Sequence, residues 1–160
     1  MRAVVLILAL VFATPVHAAT PEQDIAAVLD ALHAAAAKAD GPAYFALYTP
    51  DATYLGTDAS ERWSLAEFKS YAMPYFAKGQ GWTYVPRERH ITIAPIACRC
   101  VAWFDELLDS ASYGTSRGTG TLVLTPDGWK VSQYALTFPI PNDLAKGMTD
   151  QIKAFEANGK

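Results

Sequence analysis

VAWFDELLDSASYGTSRGTGTLVLTPDGWKVSQYALTFP, residues 101–139, is the stretch whose pattern decides the fold of this chain. Its apolar side chains recur at every second position, which is the period of a strand and not of a helix. Strands are expected over 101–110, 113–124 and 129–139, with the compact turn Thr125-Pro126-Asp127-Gly128 joining the last two as an antiparallel hairpin. In the first of these, Val101, Trp103 and Leu107 point one way while Ala102, Phe104 and Leu108 point the other, so the strand is apolar on both faces. One face can take helices. The other wants a partner, and a homodimer joined through the outer face of the sheet is the simplest supply.

Working outward toward the N-terminus, a further strand is expected over 82–94, preceded by Gly79 and Gly81. Before them, Ser64 and Glu67 form a capping box, and Trp63 is placed to meet Phe68 as a hydrophobic staple, which predicts a helix start at this point. Phe68, Tyr71, Ala72, Tyr75 and Phe76 then make one aromatic stripe at helical spacing, read as core. A first helix is expected after Thr20, with Pro21 at its first position, Gln23 answering the cap, and Ile25, Val28, Leu29 and Leu32 on one face. Asp40-Gly41-Pro42 ends it, and a short second helix is read through Tyr44, Phe45, Leu47 and Tyr48 up to Thr49-Pro50. Beyond the sheet, Pro139 and Pro141 stop the strands. Asn142 or Asp143 can cap a final helix with Leu144, Met148, Ile152 and Phe155 on one face. Helices first and meandering strands second give an α+β fold, an antiparallel sheet wrapped around helices on one side.

Met1 and Arg2, the apolar run 3–13 and the small residues after it describe a secretory signal peptide over 1–19, cleaved after Ala18 or Ala19. The run falls short of the roughly 20 apolar residues that span a bilayer. A single domain is expected over 20–160, exported to the periplasm or secreted, with no membrane association once the leader is gone. The leader carries one of the 13 basic residues and none of the 16 acidic ones, so its removal takes the net charge of -3 down by one. That mild acidity disfavours nucleic acid, which needs a basic stripe. The only cysteines, Cys98 and Cys100, flank Arg99. A ring closed over one residue needs a turn, and a structural or incidental pair is favoured over a metal site or a redox role.

The blocks GTDASERW (56–63), YFAKGQGWTY (75–84), AWFDELL (102–108), RGTG (117–120) and GWKVSQYALTFPIPN (128–142) resemble the SnoaL-like family of the nuclear-transport-factor-two-like superfamily. The resemblance implies a cone, built from a curved sheet and helices, whose open end holds a pocket. Its members include ketosteroid isomerases and polyketide cyclases alongside many proteins of no known activity, so fold alone transfers little function.

Candidate site residues follow from the residues themselves. GTDASERW crowds Asp58, Glu61, Arg62 and Trp63 into a helix approach, which reads as the polar rim of a pocket. Asp105 and Glu106 fall inside an apolar strand, where desolvation would raise a carboxylate toward a useful general base; only one of the two can face the cone. Arg62, Arg89 and Arg117 can instead pair with these acids and lower them. Tyr54, Tyr84, Tyr113 and Tyr134 are possible hydroxyl donors, and Trp63, Trp82 and Trp103 can line a cavity. Arg99 is expected to be solvent-exposed and Trp129 to be core. His17, His33 and His90 form no metal or triad set, no serine sits in a nucleophile elbow, and Gly118 and Gly120 read as relief for a bulging sheet. The leading expectation is an exported protein that binds a small, partly apolar ligand without cofactor or metal. The alternatives are a cofactor-free isomerase or lyase with Asp105 or Glu106 as base, and a non-enzymatic interaction module.

Overall fold

The computed structural model describes residues 19–159, so the expected leader, with His17, lies outside the described residues. Along the chain run α1 (Pro21–Ala37), α2 (Gly41–Phe45), β1 (Tyr48–Leu55), β2 (Arg62–Ser64), α3 (Leu65–Phe76), β3 (Val85–Ile93), β4 (Val101–Ser110), β5 (Gly114–Thr125), β6 (Gly128–Thr137) and α4 (Asn142–Ala157).

Helix α1 begins where its capping box sits. The Thr20 hydroxyl accepts from the Gln23 amide at 3.3 Å, and the Gln23 side chain accepts from the Thr20 amide at 2.8 Å. Both orphan donors are thereby satisfied. Ser64 and Glu67 do the same for α3, and the Trp63 and Phe68 rings meet with centroids 5.9 Å apart, as a staple requires. The buried positions of α1 are Ile25, Leu29, Leu32, Ala35 and Ala36, and its alanines let the helix lie close on β3 and β6. Of the α3 stripe, Phe68, Ala72 and Phe76 are buried, while Tyr71 and Tyr75 are half-exposed at the edge.

The six strands form one curved, unclosed sheet in the order β2-β1-β6-β5-β4-β3. Every pairing is antiparallel except that of β1 with β6, which is parallel. Register shifts at Tyr48/Thr53, Pro86/Glu88 and Thr121/Leu122 bend the sheet over the helices. Three local expectations are revised. The second helix ends at Phe45, and Tyr48 already opens β1; β3 starts at Val85, not at Trp82; and Pro141 is the N-cap of α4, without a side-chain cap bond, so neither Asn142 nor Asp143 caps it. Among the described residues α4 buries none of its own, and Leu144, Met148 and Ile152 are exposed. No helix among the described residues is long and apolar enough to cross a membrane.

Strand β4 divides the molecule. Ala102, Phe104, Glu106 and Leu108 are buried on the concave side, while Trp103 and Asp105 are exposed on the convex one. Ala102, Phe104 and Leu108 join Ile25, Leu29, Tyr44, Phe68, Leu122, Val131 and Tyr134 in a single core. Cys98 and Cys100 are bonded to each other in the β3–β4 loop, and Arg99 between them takes a left-handed φ of 46°. That is the turn such a ring demands.

Candidate functional site

Glu106 is fully buried at the centre of β4, where alternation aims it at α1. An ionised carboxylate in that position needs partners, because desolvation alone would neutralise it. It has three. One oxygen takes His33 Nε2 of α1 at 2.7 Å and the Tyr134 hydroxyl of β6 at 3.1 Å, and the other takes Arg89 Nε of β3 at 2.8 Å. Arg89 extends the chain outward through Nη1 to Asp30 at 2.7 Å and to the Ala26 carbonyl at 3.2 Å. Burial pushes the Glu106 carboxyl up, but His33 and Arg89 outweigh it and hold it below the usual carboxylate range. Arg89 loses charge stability to burial and regains more from Asp30 and Glu106, so its guanidinium is held above its ordinary value. Burial, reinforced by the Glu106 charge, pushes the Tyr134 phenol far up, and it remains a donor.

Gly118 makes this cluster possible. It pairs with Glu106 across the β4–β5 ladder, and a Cβ there would run into the Tyr134 hydroxyl and the Glu106 carboxylate. Gly120, two residues on, leaves room for the Phe104 ring and the Gln133 carbonyl. The expected relief of curvature is present beside them, at the Thr121/Leu122 shift, but close approach is what forbids a side chain.

Above the cluster the cone opens. A cavity of about 270 Å³ is walled by Tyr54, Trp63, Phe68, Tyr71, Trp82 and Tyr84, with Glu61, Tyr113 and Phe138 at its rim. A water-sized crevice of about 10 Å³ shares Tyr54, Trp82, Tyr84 and Leu136 with it and ends on His33 and Tyr134. Tyr54 lies flat on Phe68, centroids 3.8 Å apart, and near-parallel to Tyr134 at 6.0 Å, so the aromatic wall runs unbroken down to the buried carboxylate. Burial pushes the Tyr54 phenol well above its ordinary value, and that of Tyr84 upward too, so both keep their protons near neutrality.

The candidate residues separate cleanly. Glu61, Trp63 and Trp82 line the cavity, Tyr134 lines the crevice, and Glu106 and Arg89 stand behind it. Asp105, Trp103 and Arg117 lie on the convex face and do not reach the hollow, because their neighbours Phe104, Glu106 and Gly118 take the concave positions. Arg62 is exposed beside Trp63 on the short β2, facing away from the cavity. Asp58 accepts from the Ser60 amide and hydroxyl at 2.8 and 2.6 Å and shapes the β1–β2 loop without lining the cavity. For Glu106 the geometry is that of the paired acid and not of a desolvated base. His33 and Asp30 carry the network on the helix side, and sequence reasoning gave them no role. The available signal was positional: His33 follows Leu29 by four residues, directly on the apolar stripe that α1 turns toward the sheet. No group of three potential metal ligands is found among the described residues.

Comparison with solved structures finds the same architecture in distant sequences. An NTF2-like protein of unknown function from Pseudomonas putida superposes with a TM-score of 0.62 at 15% identity, covering 76% of this chain and 88% of that one. A provisionally assigned dehydratase of the NTF2-like family from Streptomyces avermitilis gives 0.63 at 15% identity over 76% and 100%. A provisionally assigned ketosteroid isomerase from Shewanella frigidimarina gives 0.56 at 18% identity over 72% and 96%. At such identities these likenesses establish the fold alone. No curated protein matches the sequence. The model of the SnoaL-like domain matches residues 25–141, from the first buried residue of α1 past the end of β6, and the chain therefore belongs to the SnoaL-like family.

Proposed function

We propose that this protein binds a small, partly apolar, ring-bearing ligand in the aromatic cavity at the open end of the cone, and that it acts after export to the periplasm or the medium. The cavity carries the reading. Its roughly 270 Å³ sits at the lower edge of the size usual for ligand pockets, which suits one or two fused rings, and its walls offer aromatic faces with phenol hydroxyls between them. Glu61 at the rim and the Tyr54 and Tyr84 hydroxyls deeper in supply the polar contacts that orient a ligand. Trp63 and Trp82 in the wall make the test direct: titration of the purified protein with mono- and bicyclic aromatic compounds is expected to quench tryptophan emission saturably, and Tyr71→Ala to weaken the best binder several-fold. Native mass spectrometry adds any molecule that co-purifies. A flat response across the panel, with no co-purifying mass, counts against the proposal.

The His33–Glu106 contact favours a second reading, cofactor-free proton transfer in the same hollow. With Nε2 of His33 engaged by Glu106 at 2.7 Å, Nδ1 is the ring atom left to serve as the base. Glu106 would then steady the imidazolium that forms and hold the ring's orientation, a positioning role in place of the direct one expected for it. Isomerase or lyase turnover that survives His33→Gln would remove this reading while leaving ligand binding untouched. We also propose a homodimer through the convex face, where Trp103 and Val85 are exposed.

A further inference from the structure

The Cys98–Cys100 disulfide is poorly explained as a brace. It closes a ring across one residue, and the constraint a disulfide places on an unfolded chain grows with the length of the loop it closes. Backbone bonds already hold its loop. Arg99 N donates to the Ile96 carbonyl at 3.0 Å, Leu124 N to the Cys100 carbonyl at 2.8 Å, and Ala94 N to the Val101 carbonyl at 2.8 Å. What the ring does impose is the left-handed φ of 46° at Arg99, a conformation that costs a residue with a Cβ. Opening the ring removes that constraint. Strained or exposed disulfides are the labile ones.

The surroundings supply a substrate position. Cys98 is exposed and Cys100 half-buried, and Cys98 and Arg99 stand on the edge of a cleft of about 580 Å³, at the N-terminal end of α1 and far along the helix from the aromatic cavity. Val28, Leu47, Leu124 and Trp129 give the cleft an apolar floor. Arg99 is exposed, stands between the two cysteines in the chain and forms no ion pair among the described residues, and Asp24, Asp127 and Lys130 line the same cleft. A neighbouring cation favours a thiolate and hence its departure. The chain has no other cysteine, so nothing within it competes for either sulfur.

We propose that Cys98–Cys100 is an exchange-active disulfide that oxidises a peptide dithiol seated in this cleft by an apolar side chain next to its cysteine. A peptide thiolate attacks the accessible Cys98 Sγ, the S–S bond breaks, and its electron pair leaves on Cys100 Sγ beside Arg99. The second peptide thiolate attacks the resulting mixed disulfide and releases Cys98 as thiolate. The peptide has then lost two electrons and two protons to become a disulfide. Cys98 and Cys100 have gained two electrons and, from solvent, two protons. A low-molecular-weight disulfide restores the starting state by the same steps in reverse.

The test uses the purified chain and a fluorogenic peptide bearing two cysteines, one flanked by leucine. One equivalent of peptide is expected to be oxidised per protein, saturably, and faster than a serine-flanked control. Arg99→Ala is expected to slow the exchange about tenfold and Arg99→Lys to retain most of it. Cys100→Ser, with Cys98 first activated as its mixed disulfide with thionitrobenzoate, is expected to exchange that group for a single-cysteine form of the leucine-flanked peptide, read by mass, whereas Cys98→Ser activated likewise on Cys100 exchanges little. The fully reduced chain is expected to keep its circular dichroism and to melt within a few degrees of the oxidised one. Absence of peptide oxidation above the buffer rate, an unchanged rate in Arg99→Ala, equal rates for the two peptides, or unfolding on reduction would each overturn the proposal.

Discussion

Glu106 shows how one side chain can be costly by itself and stabilising in company. Buried alone it would protonate; buried between Arg89, His33 and Tyr134 it remains a carboxylate. Because its folded pKa lies below the ordinary 4.5, an unfolded chain takes up the proton first as pH falls. The stabilisation is therefore complete above that value and is lost as pH drops through the folded one. Urea midpoints measured from about pH 6 to about pH 3 should fall for the native chain and fall less for Glu106→Gln. At neutral pH that variant is expected to be less stable by about 3 kcal/mol, since Arg89 loses its buried partner and keeps only the exposed Asp30 and the Ala26 carbonyl. Gly118→Ala, whose methyl group would displace Tyr134, is expected to cost about 2 kcal/mol by thermal unfolding. At this scale the sequence disclosed candidates but not their facing. Alternation told that Asp105 and Glu106 oppose each other; which of them looks inward depends on register with β5, where Gly118 leaves space for only one arrangement. Arg89 was legible as a partner for an acid, whereas His33 was hidden because its counterpart lies 73 residues away.

Among the elements, those with local chemistry at their ends were readable and those defined by distant neighbours were not. Thr20 with Gln23 and Ser64 with Glu67 announce α1 and α3 because each cap is complete within four residues. Ser64→Ala should accordingly lower stability by about 1 kcal/mol in denaturant unfolding, without altering the fold. Strand β1 was not readable for a physical reason. Thr49, Pro50 and Asp51 look like a stop, yet Pro50 falls inside the register shift between Tyr48 and Thr53, where a residue without an amide hydrogen is tolerated. Strand β2, Arg62–Ser64, is too short to show a period and exists because Tyr54 and Trp63 pair across the loop. The sequence's apolar face for α4 is present, but no other element buries it among the described residues, so amphipathic spacing foretold the helix and not its contacts.

For the whole molecule, the two faces of the sheet divide the work. The concave one holds the core and the aromatic hollow; the convex one presents Trp103, 44% exposed, beside Leu107 and Arg117. If two copies associate there, Trp103→Glu is expected to convert a dimer to a monomer in light scattering while leaving the melting curve of the isolated domain nearly unchanged. A native chain that is monomeric at high concentration would end the dimer proposal. The strand order carries a further consequence for how the molecule comes into being. Strand β6, the last strand among the described residues, sits between β1 and β5, so β2-β1 and β5-β4-β3 share no neighbour until Gly128–Thr137 arrives. A polypeptide growing from its N-terminus therefore holds two loose ribbons with open borders until β6 has been made. Assembly waits for the ten residues of β6, and guarding the unfinished ribbons until then falls to whatever escorts the nascent chain.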